Sequence, residues 1–449
     1  MPCKALTFYL VFGFALASHA QGLFESSLAD SSATGPHEKS FDMNGFVRGV
    51  AYGGSEYTDF SNLSGEFALK AGLSAGKTYF FGDARLREGI FFGRRKSEFE
   101  LKEAYAGYTG ERFDLFLGNQ IICWGRTDGF NPTNNLTPND YFLLTPDPDD
   151  QKLGNFMLRP KIRITGKTEL EIVVIPVFKP SVYRYDLFDM GNASFARVLL
   201  PVAGLKNASL AGRFNVELPS AGFSVSYFHG YDPFYGFKVD TVSFRPEPFV
   251  DYSPQVYRKN TVGADFAVPV SQWIFRGEAA LNLTKNYREE MEIPNPDLSF
   301  VLGAERTIGG FTAILQYIGK YTLDFTPLTK PVLADPYNPQ AQMQYALDLI
   351  RYESKLFNRK IFNQQEETNH ALFLSVSRSI AHEVLNAELS GYYNITSEEY
   401  FIRPTLKWKI TDALAANLGA GIMKGPDDSL FSKAGKVLNG AFAGLTASF

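Results

Sequence analysis

The sequence predicts an all-β fold: a transmembrane antiparallel β-barrel of about eighteen strands, sixteen being the alternative, with short periplasmic turns and long extracellular loops. Three observations carry that prediction. Apolar and polar residues alternate with a period of two in short segments from residue 41 to the end of the chain, the mark of strands whose two faces meet different surroundings. Very short turns alternate with much longer loops, as in barrels whose two rims differ. Beyond the N-terminal stretch no run of about eighteen apolar residues occurs, so strands and not helices would cross a bilayer.

The first twenty residues, MPCKALTFYLVFGFALASHA, place Lys4 before an apolar run from Ala5 to Ala17 and small residues at Ser18 and Ala20. That is the pattern of a secretory signal peptide spanning 1–20, cleaved after Ala20. Cys3 leaves with it and lies far from the cut, which argues against a lipid anchor. The mature chain keeps Cys123 alone and forms no internal disulfide. Loss of Lys4 moves the formal net charge from −4 to −5, and without a basic excess nucleic acid is excluded as a partner. Residues 21–40 are small and polar and read as a flexible N-terminal tail, leaving 41–449 as one outer-membrane barrel.

Within the barrel, Phe67, Leu69, Ala71 and Leu73 share one face while Glu66, Ala68, Lys70 and Gly72 share the other. The same alternation returns in Ile402, Leu406 and Trp408 against Arg403, Lys407 and Lys409, and in Leu414 to Ile422. Short turns fall at 74–77, 109–112, 165–168, 219–222, 270–272, 307–310, 381–383 and 410–413. The long loops are 126–155, 180–207, 232–256, 325–367 and 425–437. Eight turns joining nine outer excursions make eighteen strands with both ends on the periplasmic side, and the ambiguous stretch 238–256 is what leaves sixteen open. Loop 325–367 contains a helical segment, roughly Gln340 to Phe357, with Met343, Ala346, Leu347, Ile350 and Tyr352 near one face.

If the apolar face meets lipid, the other faces the lumen. Charges cost about 2–4 kcal/mol each on the lipid face near the midplane, so the cations must point inward. The expected lumen and constriction residues are Lys70, Arg85, Arg87, Gln120, Trp124, Arg126, Arg159, Lys161, Arg163, Arg403, Lys407 and Lys409. Arg126 would end the fifth strand, and Arg159, Lys161 and Arg163 would form a ladder on the sixth. Two readings compete: an ion-pair network that braces the wall, and a basic track that draws in anionic or carboxylated solutes. Cys123 has lipid parity and reads as an apolar filler.

Loop 126–155 follows the fifth strand and is therefore the third outer loop. Its apolar residues (Phe130, Tyr141, Phe142, Leu143) argue for order, either folded into the bore or laid over it as a lid. The run Pro146 to Asp150 offers three carboxylates, which fits a calcium site less well than turn chemistry; no metal and no cofactor is expected.

No enzyme is expected either. The sequence has no GxSxG, HExxH or phosphate-loop signature in a supporting context, and His229 with Asp232 is the one pair worth weighing. With strands starting near 42 there is no room for the plug of a TonB-dependent receptor.

The segment GNQIICWGRTDGFNPTNNLTPNDY, from Gly118 to Tyr141, resembles a poorly characterised family of porin-like outer-membrane proteins that carry G-x-Q-x-x-x-W-G before an Asn-Pro-rich loop. The architecture is also similar to general porins, in which the third loop folds inward and narrows the bore. Leu445, Ala447 and the terminal Phe449 resemble the C-terminal strand that outer-membrane assembly machinery reads. The resemblance implies a passive channel for small solutes, narrowed by the third loop, in the outer membrane of a bacterium with two membranes. Its partners would be outer-membrane lipid and lipopolysaccharide. The alternative is a non-conducting envelope-assembly or lipid transport partner that works with an inner-membrane transporter.

Overall fold

A computed structural model describes residues 37–188, 192–244 and 248–449. The expected signal peptide and residues 21–36 of the tail lie outside them. The first hairpins are β1 (His37–Gly53), β2 (Phe60–Gly76), β3 (Thr78–Phe91), β4 (Arg94–Thr109) and β5 (Phe113–Gln120). After a long loop come β6 (Asn155–Thr165), β7 (Thr168–Ile175), β8 (Ala193–Phe195), β9 (Ser209–Leu218), β10 (Ala221–Tyr231), β11 (Gly236–Phe244) and β12 (Pro248–Gln255). The last third holds β13 (Arg258–Val270), β14 (Trp273–Thr284), β15 (Asp297–Ile308), β16 (Phe311–Thr322), β17 (Thr368–Ile380), β18 (Leu385–Asn394), β19 (Glu399–Lys409), β20 (Leu414–Lys424) and β21 (Gly440–Ser448).

Eighteen of these form a single antiparallel sheet in which each strand pairs with its neighbours along the chain. The sheet closes where β1 pairs with β21, from Phe46 opposite Ser448 to Gly53 opposite Ala441. Strand β1 begins at His37, four residues inside the segment assigned to the tail. The stretch around 238–256 does form a hairpin, but it is not wall: β11 and β12 pair with each other, and β8 joins β12 in parallel, as a separate small sheet. Eighteen is therefore the count.

The alternation has its physical outcome in the wall. Phe67, Leu73, Leu86, Leu117, Val225, Leu302, Leu315, Leu389, Trp408 and Leu418 lie exposed on the outer surface, while Glu66, Asp83, Arg85, Arg87, Lys161, Glu171, Asp265 and Glu278 are buried inside. A water-soluble protein would not display so continuous an apolar surface. It is the lipid-facing band of a membrane barrel. Closure is helped by Gly45, where a Cβ would stand 2.3 Å from the Ala68 carbonyl oxygen and 2.8 Å from the Phe449 ring. The bare backbone lets Phe449 exchange two main-chain hydrogen bonds with Gly45, of 2.9 and 3.0 Å.

Above the wall the long loops share an aromatic core. Phe237 meets Tyr185, Phe195, Tyr235 and Phe357 at ring separations of 5.1–5.6 Å. The helix of loop 323–367 runs from Pro339 to Ile361, capped by Asn338. It is longer than expected and docks differently. Its buried residues are Glu353, Ser354, Phe357, Asn358, Arg359 and Ile361, whereas Met343 and Leu347 are exposed. The C-terminal turns carry the contact because Asn358 accepts from the Phe237 amide and donates to the Phe237 carbonyl, both at 2.8 Å. A second helix, Leu430–Leu438, packs Phe431, Ala434 and Val437 into the same cluster.

Candidate functional site

The loop between β5 and β6, residues 121–154, runs inside the barrel and is tied to walls that face each other across it. It starts earlier than the sequence suggests, so Trp124 and Arg126 are loop residues and Arg126 does not end the fifth strand. The cause is local. Gly118 has φ 138°, and beyond Gln120 the backbone amides turn to side chains: Ile121 donates to Glu103 at 2.9 Å and Ile122 to Thr137 at 3.0 Å. Gln120 itself donates to the Met157 carbonyl at 3.2 Å. Trp124 is buried and donates to Glu171 on β7 at 3.0 Å.

The first half of the loop is held by β9, β13, β14 and β16. Arg126 reaches Asp265 at 2.7 Å, Asn215 at 2.7 Å and Glu217 at 2.5 Å. The Glu278 carboxylate on β14 accepts from the amides of Arg126 and Thr127, at 2.5 and 2.6 Å, and from the hydroxyls of Thr127 and Thr133, at 2.8 and 3.0 Å. Arg276 bridges Asp128 at 3.2 Å and Glu305, and the Gly129 amide donates to Gln316 at 3.2 Å.

The second half is held by β1, β2, β3, β4 and β19. Asp150 receives Arg48 and Arg85, each at 2.6 Å, with the Lys102 ammonium at 3.5 Å. Glu66 ties Arg87 at 2.9 Å and also pairs with Arg48; Arg87 reaches Glu100 at 2.8 Å. Arg403 donates to the Pro146 carbonyl at 2.9 Å and stacks over Phe442 at 5.5 Å, and Asn62 donates to the Leu144 carbonyl at 2.7 Å. Arg48 and Lys102 were not among the expected residues. Arg48 carries the parity of its strand plainly; Lys102 sits at the register shift between β3 and β4.

Most of the expected basic track is therefore consumed in pairs. Around Asp150, four cations (Arg48, Arg85, Arg87, Lys102) meet four carboxylates (Glu66, Asp83, Glu100, Asp150). Around Glu278, three arginines (Arg126, Arg213, Arg276) meet five. On β6, Arg159 pairs with Glu171, Lys161 lies 3.9 Å from Glu169, and Arg163 pairs with Asp114 beside the periplasmic turn. Lys70 stands 3.9 Å from Asp83. Lys407 and Lys409 follow Arg403 on β19 toward the periplasmic end, beyond the contacts with the inner loop, and so lie outside the constriction.

One further expectation changes. Cys123 does not face lipid: it lies on the wall of an inner cavity, where desolvation pushes its thiol pKa up. Of the acidic run, Asp150 goes to the wall and the other two are used locally, Asp147 capping a short helical turn through the Asp149 amide at 3.0 Å and Asp149 pairing with Lys152 at 2.9 Å. No carboxylate, histidine and cysteine cluster able to hold a metal occurs among the described residues. His229 and Asp232 do not meet. His229 bonds Asn260 at 2.7 Å on the face that carries Val225 and Tyr227, whereas Asp232 pairs inside with Lys259 at 2.7 Å.

The cavity, about 460 Å³, lies between the inner loop and the outer ends of β13 to β16. Phe130, Tyr141, Phe234, Tyr257 and Phe362 give it aromatic walls, and Lys152, Lys259 and Lys320 bring three ammonium groups to it. Lys320 donates to the Phe362 carbonyl at 2.7 Å with Asp297 3.8 Å away.

Asp128 on the same cavity is a pH-sensitive anchor. Burial pushes its pKa up to about 6 against the pull of Arg276, and its Oδ1 is buried without a partner. A raised carboxyl pKa means that the folded protein holds the proton more tightly than the unfolded chain. The contribution is full below pH 3.8 and lost as pH rises through about 6, on the order of 3 kcal/mol in all. Asp128→Asn should match the wild type in thermal midpoint near pH 4 and exceed it near pH 7. An offset independent of pH would refute this.

A closed antiparallel wall with an even strand number, an apolar outside, a charged inside and an inward-folded third loop defines an outer-membrane-type β-barrel. Solved structures of that class share the fold. Acinetobacter baumannii OccAB2 aligns over 91% of this chain and 98% of its own at 10% identity, with a TM-score of 0.51. Pseudomonas aeruginosa OpdK with vanillate aligns over 91% and 98% at 9% identity, TM-score 0.50, and Acinetobacter baumannii OccAB3 over 91% and 98% at 9%, TM-score 0.50. No family model matches the chain, and no curated protein matches it.

Proposed function

We propose that this protein is a porin-like channel of the outer membrane that passes small solutes, with a preference for anionic or carboxylated ones. The observation that carries the reading is the cavity inside the closed wall, where three lysine ammonium groups converge beside aromatic surface. Cavities of that kind suit a small solute with an apolar body and a carboxylate. The OpdK structure with vanillate, itself a carboxylate, supports the same solute class. The pairing of each lysine with an aspartate tempers the attraction: an entering carboxylate exchanges with a resident one and does not fall into a bare positive site.

The rival reading is a non-conducting envelope partner, and the aromatic cap over the mouth favours it. Planar-bilayer recordings separate the two. Purified protein should give discrete conductance steps, reduced by millimolar aromatic carboxylates more than by their amides. Absence of any conductance, also after deletion of 127–153, would leave the non-conducting reading. Replacing Arg159, Lys161 and Arg163 together by Gln should shift ion selectivity toward cations, because Glu171, Glu169 and Asp114 then lose their partners. Unchanged selectivity would show that this wall lies outside the solute path. Phe449, bonded to Gly45 at the seam, is the residue we assign to recognition by the assembly machinery. A dedicated inner-membrane transporter as partner rests on the family resemblance alone.

A further inference from the structure

The wall has uneven height. Strands β5 and β7, with 8 residues each, are the shortest of the eighteen. Eight residues rise about 27 Å along the strand, and a tilt of about 40° leaves about 21 Å along the membrane normal, less than the apolar band of about 25 Å that such barrels present. Directly beyond β7 and before β9, loop 176–208 carries the sequence Arg197-Val-Leu-Leu-Pro-Val-Ala-Gly-Leu-Lys206.

Of the large apolar residues in this segment only Val198 packs against the shared aromatic core. Leu199, Leu200, Val202 and Leu205 are 78%, 51%, 79% and 82% exposed. The loop is nonetheless fastened: the Gly204 amide donates to the Pro176 carbonyl at 2.9 Å, Asn207 to the Val202 carbonyl at 3.0 Å, and Arg258 to the Ala208 carbonyl at 3.0 Å. It hangs from the outer ends of β7 and β9, whose lipid-facing residues toward that rim are Ile172 and Leu210. Arg197 and Lys206 bracket the apolar run, both exposed.

We propose that residues 197–206 are a membrane-docking loop that enters the outer leaflet and completes the apolar band above the short strands. Leu199, Leu200, Val202 and Leu205 take the upper acyl region, while Arg197 and Lys206 meet anionic headgroup phosphates at its border. Two observations point to lipid. The apolar residues continue the lipid-facing surface of β7 and β9, and the cations stand at both ends of the apolar run, where a membrane surface puts its negative charge. A second copy of the chain would cover the leucines equally well but gives no reason for the flanking cations.

The test uses the full-length protein carrying Cys123→Ser with Leu200→Cys or Val202→Cys, labelled with an environment-sensitive dye and reconstituted in vesicles of neutral or mixed neutral and anionic phospholipid. Entry into the leaflet predicts blue-shifted emission, quenching by shallow spin-labelled lipid and protection from aqueous iodide. The blue shift should be larger in anionic vesicles, and that increment should be lost in Arg197→Gln/Lys206→Gln. Water-like emission with full iodide quenching overturns the proposal. So does protection that appears only at high protein density together with energy transfer between differently labelled copies, since that marks contact between chains. Equal shifts in neutral and anionic vesicles would overturn the role given to the two cations. The parent without the new cysteine supplies the background, and a dye at Gly309 in the turn of the opposite rim reports whether the barrel has folded and inserted.

Discussion

Replacing Glu278 with alanine should release the first half of the inner loop and raise single-channel conductance while lowering stability by about 3–5 kcal/mol. The size of the effect follows from the number of groups that share one carboxylate. Four donors of Arg126, Thr127 and Thr133 end on it; once it is gone the two hydroxyls can turn to the Phe130 carbonyl and Asn131 Oδ1, but the two amides are left without their acceptor. Arg126 keeps Asp265 and Glu217, so the loop should loosen and not leave the bore, and the signature is larger, noisier current steps. Glu278→Gln keeps one acceptor oxygen and should fall between the two. Wild-type conductance in Glu278→Ala, with the thermal midpoint lowered, would mean that this half of the loop does not bound the solute path.

Removing the opposite anchor should act with the other sign of charge. Asp150→Ala leaves Arg48, Arg85 and Lys102 buried around the space the carboxylate filled. Breaking a buried pair by taking one partner costs about 3–5 kcal/mol, because the remaining charge is uncompensated. Here three cations lose one shared anion, though Glu66, Asp83 and Glu100 remain. The expected result is a marked drop in thermal midpoint and a shift of reversal potential toward anion selectivity. Asp150→Asn should destabilise less, because its amide oxygen still accepts from one arginine, and should shift selectivity by a similar amount. If reversal potentials match the wild type in both variants, the cluster is sealed from the permeating ions and its function is bracing alone.

The wall was readable because its physics is periodic. A strand such as β2 must put Phe67 and Leu73 in lipid and Glu66 in the lumen, and no other arrangement of those letters survives both solvents. The eight short turns all fall at one rim as expected, although the outer connections 92–93 and 395–398 are as short. What periodicity cannot supply is the identity of the partner across the lumen. Arg85 and Arg87 could be assigned inward from their strand, yet nothing in 78–91 says that Arg85 meets Asp150, sixty-five residues away and on a loop without a repeat. The same blindness hid Lys259 and Lys320, which occupy the outer ends of their strands and acquire meaning only when the inner loop comes to rest beside them. Lys102 was lost for a narrower reason: the register shift at Asp83 and Ala84 breaks the parity that would have announced it. In the helix Pro339–Ile361 a stripe of apolar letters suggested the docking face, but the contact is decided by Asn358, which offers an extended strand both a donor and an acceptor.

The seam between β1 and β21 also sets an order of events. Every other hairpin in the wall can zip as soon as its own two strands exist, because its partner is adjacent in the chain. Gly45, near the start, must wait for Phe449, the final residue, before its hydrogen bonds can form. Until then both edges of the sheet are open within a bilayer that offers them no substitute. The inner loop has a later deadline than its position implies, since its two moorings are built from β1 to β4 on one side and β13 to β16 on the other. A chain halted before β14 would hold the first half of the loop through Arg126 on β9 and β13 but without Glu278, so the brace is completed late although the loop is among the first parts to be synthesised.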